Sequence, residues 1–105
     1  MTEDNLTSEL AKALLGWTST PERFLIGDRR WIPRWRFRPM KRLPDALKLL
    51  DAVDDYVLRR DKRGGDRAEV RISGVIGKAR GPVQPRVITK AVALAMALEV
   101  DDDSK

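Results

Sequence analysis

The sequence predicts an α+β fold with a mostly antiparallel sheet. Segments with helical apolar spacing open, divide and close the chain. Segments that alternate apolar with charged residues lie between them. No strand–helix–strand rhythm of the kind that builds a parallel sheet recurs. The 105 residues predict one domain over 1–105, with short flexible ends at 1–4 and 101–105.

Residues 5–15 read as the first helix. Leu6, Leu10, Ala13 and Leu14 recur at three- and four-residue steps, and Trp17 continues the stripe. Asn5 or Thr7 is placed to cap the start, and Gly16 to stop the helix. Residues 18–22 are turn chemistry, and 23–26 are a short apolar run ended by Gly27-Asp28. Residues 31–37 read as a strand. Trp31, Trp35 and Phe37 share one face, with Pro33 on the same parity, while Arg34, Arg36 and Arg38 share the other. Pro33 cannot donate to a ladder, which predicts an edge or bulged strand. On this parity the aromatic face is core, and Trp35→Ala is expected to cost several kcal/mol.

A second helix is predicted over 43–60. Pro44 suits its first turn, and Asp45 suits its N-terminus. Ala46, Leu47, Leu50, Val53, Tyr56 and Val57 form its apolar face. Asp51, Asp54 and Asp55 fall on the solvent side, and Arg59 and Arg60 complement the C-terminal dipole. Residues 61–67 read as a charged loop. Residues 68–72 alternate as a strand with Val70 and Ile72 inward. Ser73-Gly74 then reads as a tight turn into a strand over 75–80, so the pair forms a hairpin. The last helix is predicted over 85–100. It is apolar nearly all round from Ala91 to Leu98, which places it at the centre of the core, and its alanines permit close approach. Residues 101–105 read as a solvated tail. The predicted order is α-β-α-β-β-α, with one more short strand near residue 24.

Several features recur together: Gly16-Trp17 after a first helix, the Trp31-Ile-Pro segment, and Pro44-Asp45-Ala46 opening an amphipathic helix. The Val70-Arg-Ile strand, a glycine turn and the helix from Ile88 through Thr89-Lys90-Ala91 complete the pattern. In order and spacing over residues 8–98, the chain resembles the phage ABA sandwich family of small phage and prophage proteins. It departs from that family in the density of arginine around Trp31 and Trp35. The resemblance implies a three-layer α/β/α sandwich and a family to which no activity is assigned. It carries over no catalytic residue.

Composition narrows the function. The chain is 42% hydrophobic and 35% charged, with a net charge of +5, which points to polyanionic or acidic partners. It has no cysteine and no histidine, so thiolate chemistry is excluded and the commonest general base and metal ligand are missing. No carboxylate pair lies in an apolar context, and the chain is not expected to be an enzyme or to hold a cofactor. Asp51, Asp54 and Asp55 read as a solvated helix face rather than a magnesium site. Residues 74–81 lack the phosphate-loop pattern, because Ala79 follows Lys78. No apolar run is long enough to span a membrane and no apolar signal core opens the chain, so a cytoplasmic location is expected.

The candidate site is residues 29–42, which hold seven basic residues, two tryptophans, one phenylalanine and no acid. Arg29, Arg30, Arg34, Arg36, Arg38, Lys41 and Arg42 are the candidate anion- or nucleic-acid-binding residues. Two readings stand side by side. Arginines neutralise phosphates while aromatics stack on bases, or the aromatics are core and the arginines only the charged face of an edge strand. An acidic protein or a phosphorylated ligand fits the same charge. The expected function is thus that of a small non-catalytic phage- or prophage-type protein that binds through a basic surface. The alternative is a dedicated nucleic-acid-binding module. Burial of the tryptophans separates the two.

Overall fold

The computed structural model describes residues 2–27, 30–63 and 65–98. The fold is α+β, a small sandwich of three helices and two antiparallel three-stranded sheets. The order is α-β-β-β-α-β-β-β-α, so it contains more strands than the sequence predicted.

Helix α1 spans Glu3–Ala13. It starts two residues before the predicted point, because Thr2 is the cap and accepts the Asn5 backbone N–H at 3.1 Å. Glu3 and Asp4 then lie in the first turn, where carboxylates favour the helix dipole. Leu6, Leu10 and Ala11 are buried. The first sheet comprises β1 (Thr18–Ser19), β2 (Arg23–Ile26) and β3 (Arg30–Pro33). The strand predicted over 31–37 ends at Pro33. Arg34–Arg36 is a single 3-10 turn, so the alternation that sorted aromatics from arginines stops there. Phe37 is core at 2% exposure, but Trp35 is 66% exposed and Trp31 41%. The expectation that all three rings are core is therefore corrected. It is Trp17 that completes the buried cluster, with its ring edge-on to Phe37 at 4.8 Å and tilted on Phe24 at 5.9 Å.

Helix α2 covers only Leu43–Leu50 and buries Ala46, Leu49 and Leu50. The last third of the predicted helix over 43–60 is instead strand β4, Asp55–Asp61. The chain turns because Asp54 is bound to a distant hairpin. Its Oδ2 accepts the Ser73 backbone N–H at 2.7 Å, and its own N–H donates to the Arg71 carbonyl at 3.0 Å. Asp51, Asp54 and Asp55 thus belong to a helix end, a turn clasp and a strand, not to one helix face.

Strand β4 pairs with β5 (Gly65–Ile72), and β5 pairs with β6 (Val75–Gly81). The predicted hairpin is present. Ser73 and Gly74 have φ of 51° and 82°, the left-handed pair of a type I′ turn, and Ile72 faces Val75 across it. Helix α3, Gln84–Ala95, lies on this sheet and buries seven of its twelve residues. Its central place is as the sequence predicted, but the helix predicted over 85–100 stops at Ala95, and Ala97 has a φ of 58°. It packs against β5 and β6, with α2 alongside. The approach is closest at Gly77, where a Cβ would lie 2.1 Å from the Ala91 carbonyl oxygen and 2.4 Å from the Ala95 nitrogen. Only glycine fits there. Val70, Ile88, Val92, Leu49 and Leu10 fill the core around this contact.

Candidate anion-binding surface

Of the seven candidate residues, Arg29 lies outside the described residues. The other six fall into three environments, which the strand parity did not separate.

Arg34 turns inward, and its guanidinium clasps three segments. Nη1 donates to the Ser19 hydroxyl at 2.8 Å and to the Thr20 carbonyl at 2.9 Å. Nη2 donates to the Asp4 carbonyl at 3.2 Å and to the Ser8 hydroxyl, and approaches Asp4 Oδ1 at 3.7 Å. The group lies over the Phe24 ring at 4.8 Å, and the side chain is only 15% exposed. A planar fork of donors suits this divergent set of acceptors. Arg34 therefore joins α1 to the β1–β2 turn and is spent on structure.

Arg42 is partly committed. It precedes α2, where its Nε lies 3.8 Å from Asp45 Oδ2 and its Nη1 donates to the Arg36 carbonyl at 3.4 Å. Asp45 also accepts the Arg38 backbone N–H at 2.8 Å. One carboxylate at the head of α2 thus fixes the turn that precedes it.

Arg30, Arg36, Arg38 and Lys41 are exposed. The reason lies in the residues between them. Pro39 and Met40 are buried, and the Pro39 carbonyl accepts the buried Thr89 hydroxyl of α3 at 2.8 Å. The Lys41 and Arg42 N–H groups both donate to the Arg38 carbonyl. Anchoring 39–40 inward projects Arg38 and Lys41 outward on either side.

The two exposed tryptophans also differ. Trp31 carries the Arg23 guanidinium over its ring at 4.2 Å, a cross-strand cation–π contact that occupies one face. No other ring or cation covers Trp35 among the described residues. Trp35, Arg38 and Lys41 line a cleft of about 490 Å³ together with Glu3, Asp4 and Glu22. The site is thus an exposed indole in a cleft whose lining holds both cations and carboxylates. Nothing in the segment itself marked Arg34 as different from Arg36, because all of its acceptors lie at residues 4–20.

Among the described residues, no helix is long and apolar enough to cross a membrane. No protein-family profile matches the chain, and no curated protein matches it. A solved structure does: the 2.0 Å crystal structure of a phage protein from Bacillus cereus ATCC 14579 is similar, with a TM-score of 0.72 and 13% identity. The match covers 96% of this chain and 93% of that one. At this identity, what the two chains share is the fold.

Proposed function

We propose that the chain is a small non-catalytic binding protein of phage type that holds single-stranded nucleic acid on the turn at residues 34–42. One observation carries the reading: Trp35 is 66% exposed beside Arg36, Arg38 and Lys41. An indole left in water beside three cations is a stacking platform next to a phosphate track. Base–aromatic stacking contributes about 1–3 kcal/mol per base, and the cations bind phosphates with release of counterions. Glu3 and Glu22 in the lining of the same cleft repel phosphates, which favours a backbone path along the cations. The likeness in fold to the Bacillus cereus phage protein over nearly all of both chains supports the phage type. A chain without histidine or cysteine lacks the commonest general base and the thiol nucleophile, which supports a binding role.

Fluorescence anisotropy with short labelled single-stranded DNA and RNA tests the reading. Binding is expected at low salt and weakens as salt rises, with quenching of tryptophan emission. Trp35→Ala is expected to lower affinity at least about tenfold, the loss of one stacked base. Absence of binding at low salt would overturn the proposal. Unchanged affinity in Trp35→Ala would remove stacking from it.

A further inference from the structure

The outer face of the β4–β6 sheet holds a second concentration of arginine, which the sequence places at a helix end, in a loop and in a strand. Side chains alternate along a strand. Ala68, Val70 and Gly77 are buried beneath α3, so their neighbours in sequence face away from it. The register places these outward residues in rows. Arg59, Arg67 and Arg80 lie opposite one another on three adjacent strands. The next row is Val57, Glu69 and Lys78, and the row after it is Asp55, Arg71 and Ile76. Like charges directly opposite destabilise a sheet. Arg67 makes an interaction of its own, so it is Arg59 and Arg80 on either side of it that folding alone does not account for. Glu69, in the adjoining row, is directed to Lys78 at 3.9 Å. Among the described residues, Arg59 and Arg80 have no acidic partner. An open depression of about 560 Å³ runs over Arg59, Arg67, Lys78 and Arg80, with Glu69 also in its lining, and a smaller one shares Arg67 and Arg80 and adds Arg63 and Asp66.

We infer that this face is a second nucleic-acid contact, one that takes the phosphodiester backbone of a duplex without stacking a base. Guanidinium forks bind phosphate oxygens in pairs. The row spans about 10 Å across three strands, the length over which one strand of a duplex presents about three phosphates. None of the three rows contains an aromatic residue, and Val57 and Ile76 are its only uncharged members. The face can neutralise a backbone but has nothing to insert between bases, which fits a duplex whose bases stay stacked.

The face also points away from the 34–42 turn. Ala91 of α3 rests on Gly77 of the sheet. Thr89, two residues earlier and so roughly 200° round the helix, binds Pro39 of the turn. Helix α3 therefore separates the two basic surfaces. One molecule can hold a duplex on the sheet and a single strand on the turn. The sheet contact does not depend on the Trp35 reading.

The test uses the full chain carrying Trp35→Ala and Arg38→Ala, which removes the first surface, and a labelled blunt DNA duplex titrated across a salt series. Duplex binding is expected to persist. Adding Arg59→Gln and Arg80→Gln is expected to lower affinity at least about tenfold at low salt. The slope of log affinity against log salt should then fall by about two, roughly one per phosphate contact removed. Wild-type duplex affinity and slope in the Arg59→Gln, Arg80→Gln protein would overturn the inference. So would equal competition by polyglutamate, which would make the partner an acidic protein. The glutamine protein is expected to melt at or above the wild-type temperature, since like charges are relieved. A lower melting temperature would overturn the inference by showing that the row serves the fold.

Discussion

The two sides of α3 are held by opposite means. Toward the sheet, the helix backbone comes so close to β6 that a hydrogen is all that fits at Gly77. Toward the 34–42 turn, polar groups give direction to the buried Phe37, Pro39 and Met40: the Thr89 hydroxyl on the Pro39 carbonyl and, beyond it, the Arg34 fork on α1 and the β1–β2 turn. Small residues make the first side tight and shape-specific, with no room to adjust. Long side chains make the second side specific by direction, and they leave neighbours of the same type free to face solvent. Arg34 and Arg36 are two residues apart, yet one is spent on structure and the other is available to a ligand. Within one basic segment, charge density is therefore a poor guide to function, whereas the supply of internal acceptors is a good one.

The largest effect is expected at the tight side. Gly77→Ala places a Cβ at 2.1 Å and 2.4 Å from backbone atoms of α3, and backbone cannot rotate away as a flexible side chain can. Overpacking of this kind costs about 3 kcal/mol or more. In a chain of this size that lowers the melting temperature by more than about 12 °C. A melt within two or three degrees of wild type would show that α3 does not rest on Gly77, and would erase the contrast between its two sides.

Arg34→Ala is expected to cost less, about 2 kcal/mol, because hydrogen bonds from a charged donor contribute about 1.5–3 kcal/mol and the Asp4 carboxylate left behind is exposed to water. Arg34→Lys sharpens the comparison. A single ammonium cannot reach Ser19, Thr20, Asp4 and Ser8 together, so lysine is expected to restore less than half of the loss in a chemical-denaturation experiment. Full rescue by lysine would mean that charge, not the fork, holds the clasp. Arg36→Ala in the same assay is expected to leave stability unchanged.

These two regions also differ in how legible they were. Helix α3 and the Ser73-Gly74 hairpin are specified locally, by an all-round apolar run and by two residues that accept left-handed backbone. Both were readable from the sequence. Strand β4 was not, because Leu47, Leu50, Val53 and Val57 keep a helical spacing. The helix stops at Leu50, and the Asp54 carboxylate fixes the turn that follows it to the Ser73 N–H, nineteen residues away. The candidate segment failed for the same reason. Its parity holds to Pro33, and from there the 3-10 turn is fixed by Arg34 acceptors that lie outside the segment. The seven basic residues were identified as a candidate surface, but the division between Arg34 and its neighbours depends on partners distant in sequence. The sheet-face row of Arg59, Arg67 and Arg80 could not be seen until β4 was known to be a strand.

The smallest expected effect on stability is the most informative for function. If Trp35 were core, as the parity predicts, its truncation would cost several kcal/mol, as other large buried rings do. With Trp35 66% exposed and covered by no ring or cation among the described residues, Trp35→Ala is expected to change stability by less than about 0.5 kcal/mol, the range for surface substitutions. Trp17 is the internal standard: its ring packs on Phe24 and Phe37 beneath Lys48, and its truncation is expected to cost about 3 kcal/mol. Matched melts of the two variants therefore separate a structural tryptophan from an available one. A large loss at Trp35 would place its ring in the core and remove the stacking platform. A small loss with weakened binding of single-stranded nucleic acid would mean that the ring serves the ligand rather than the fold.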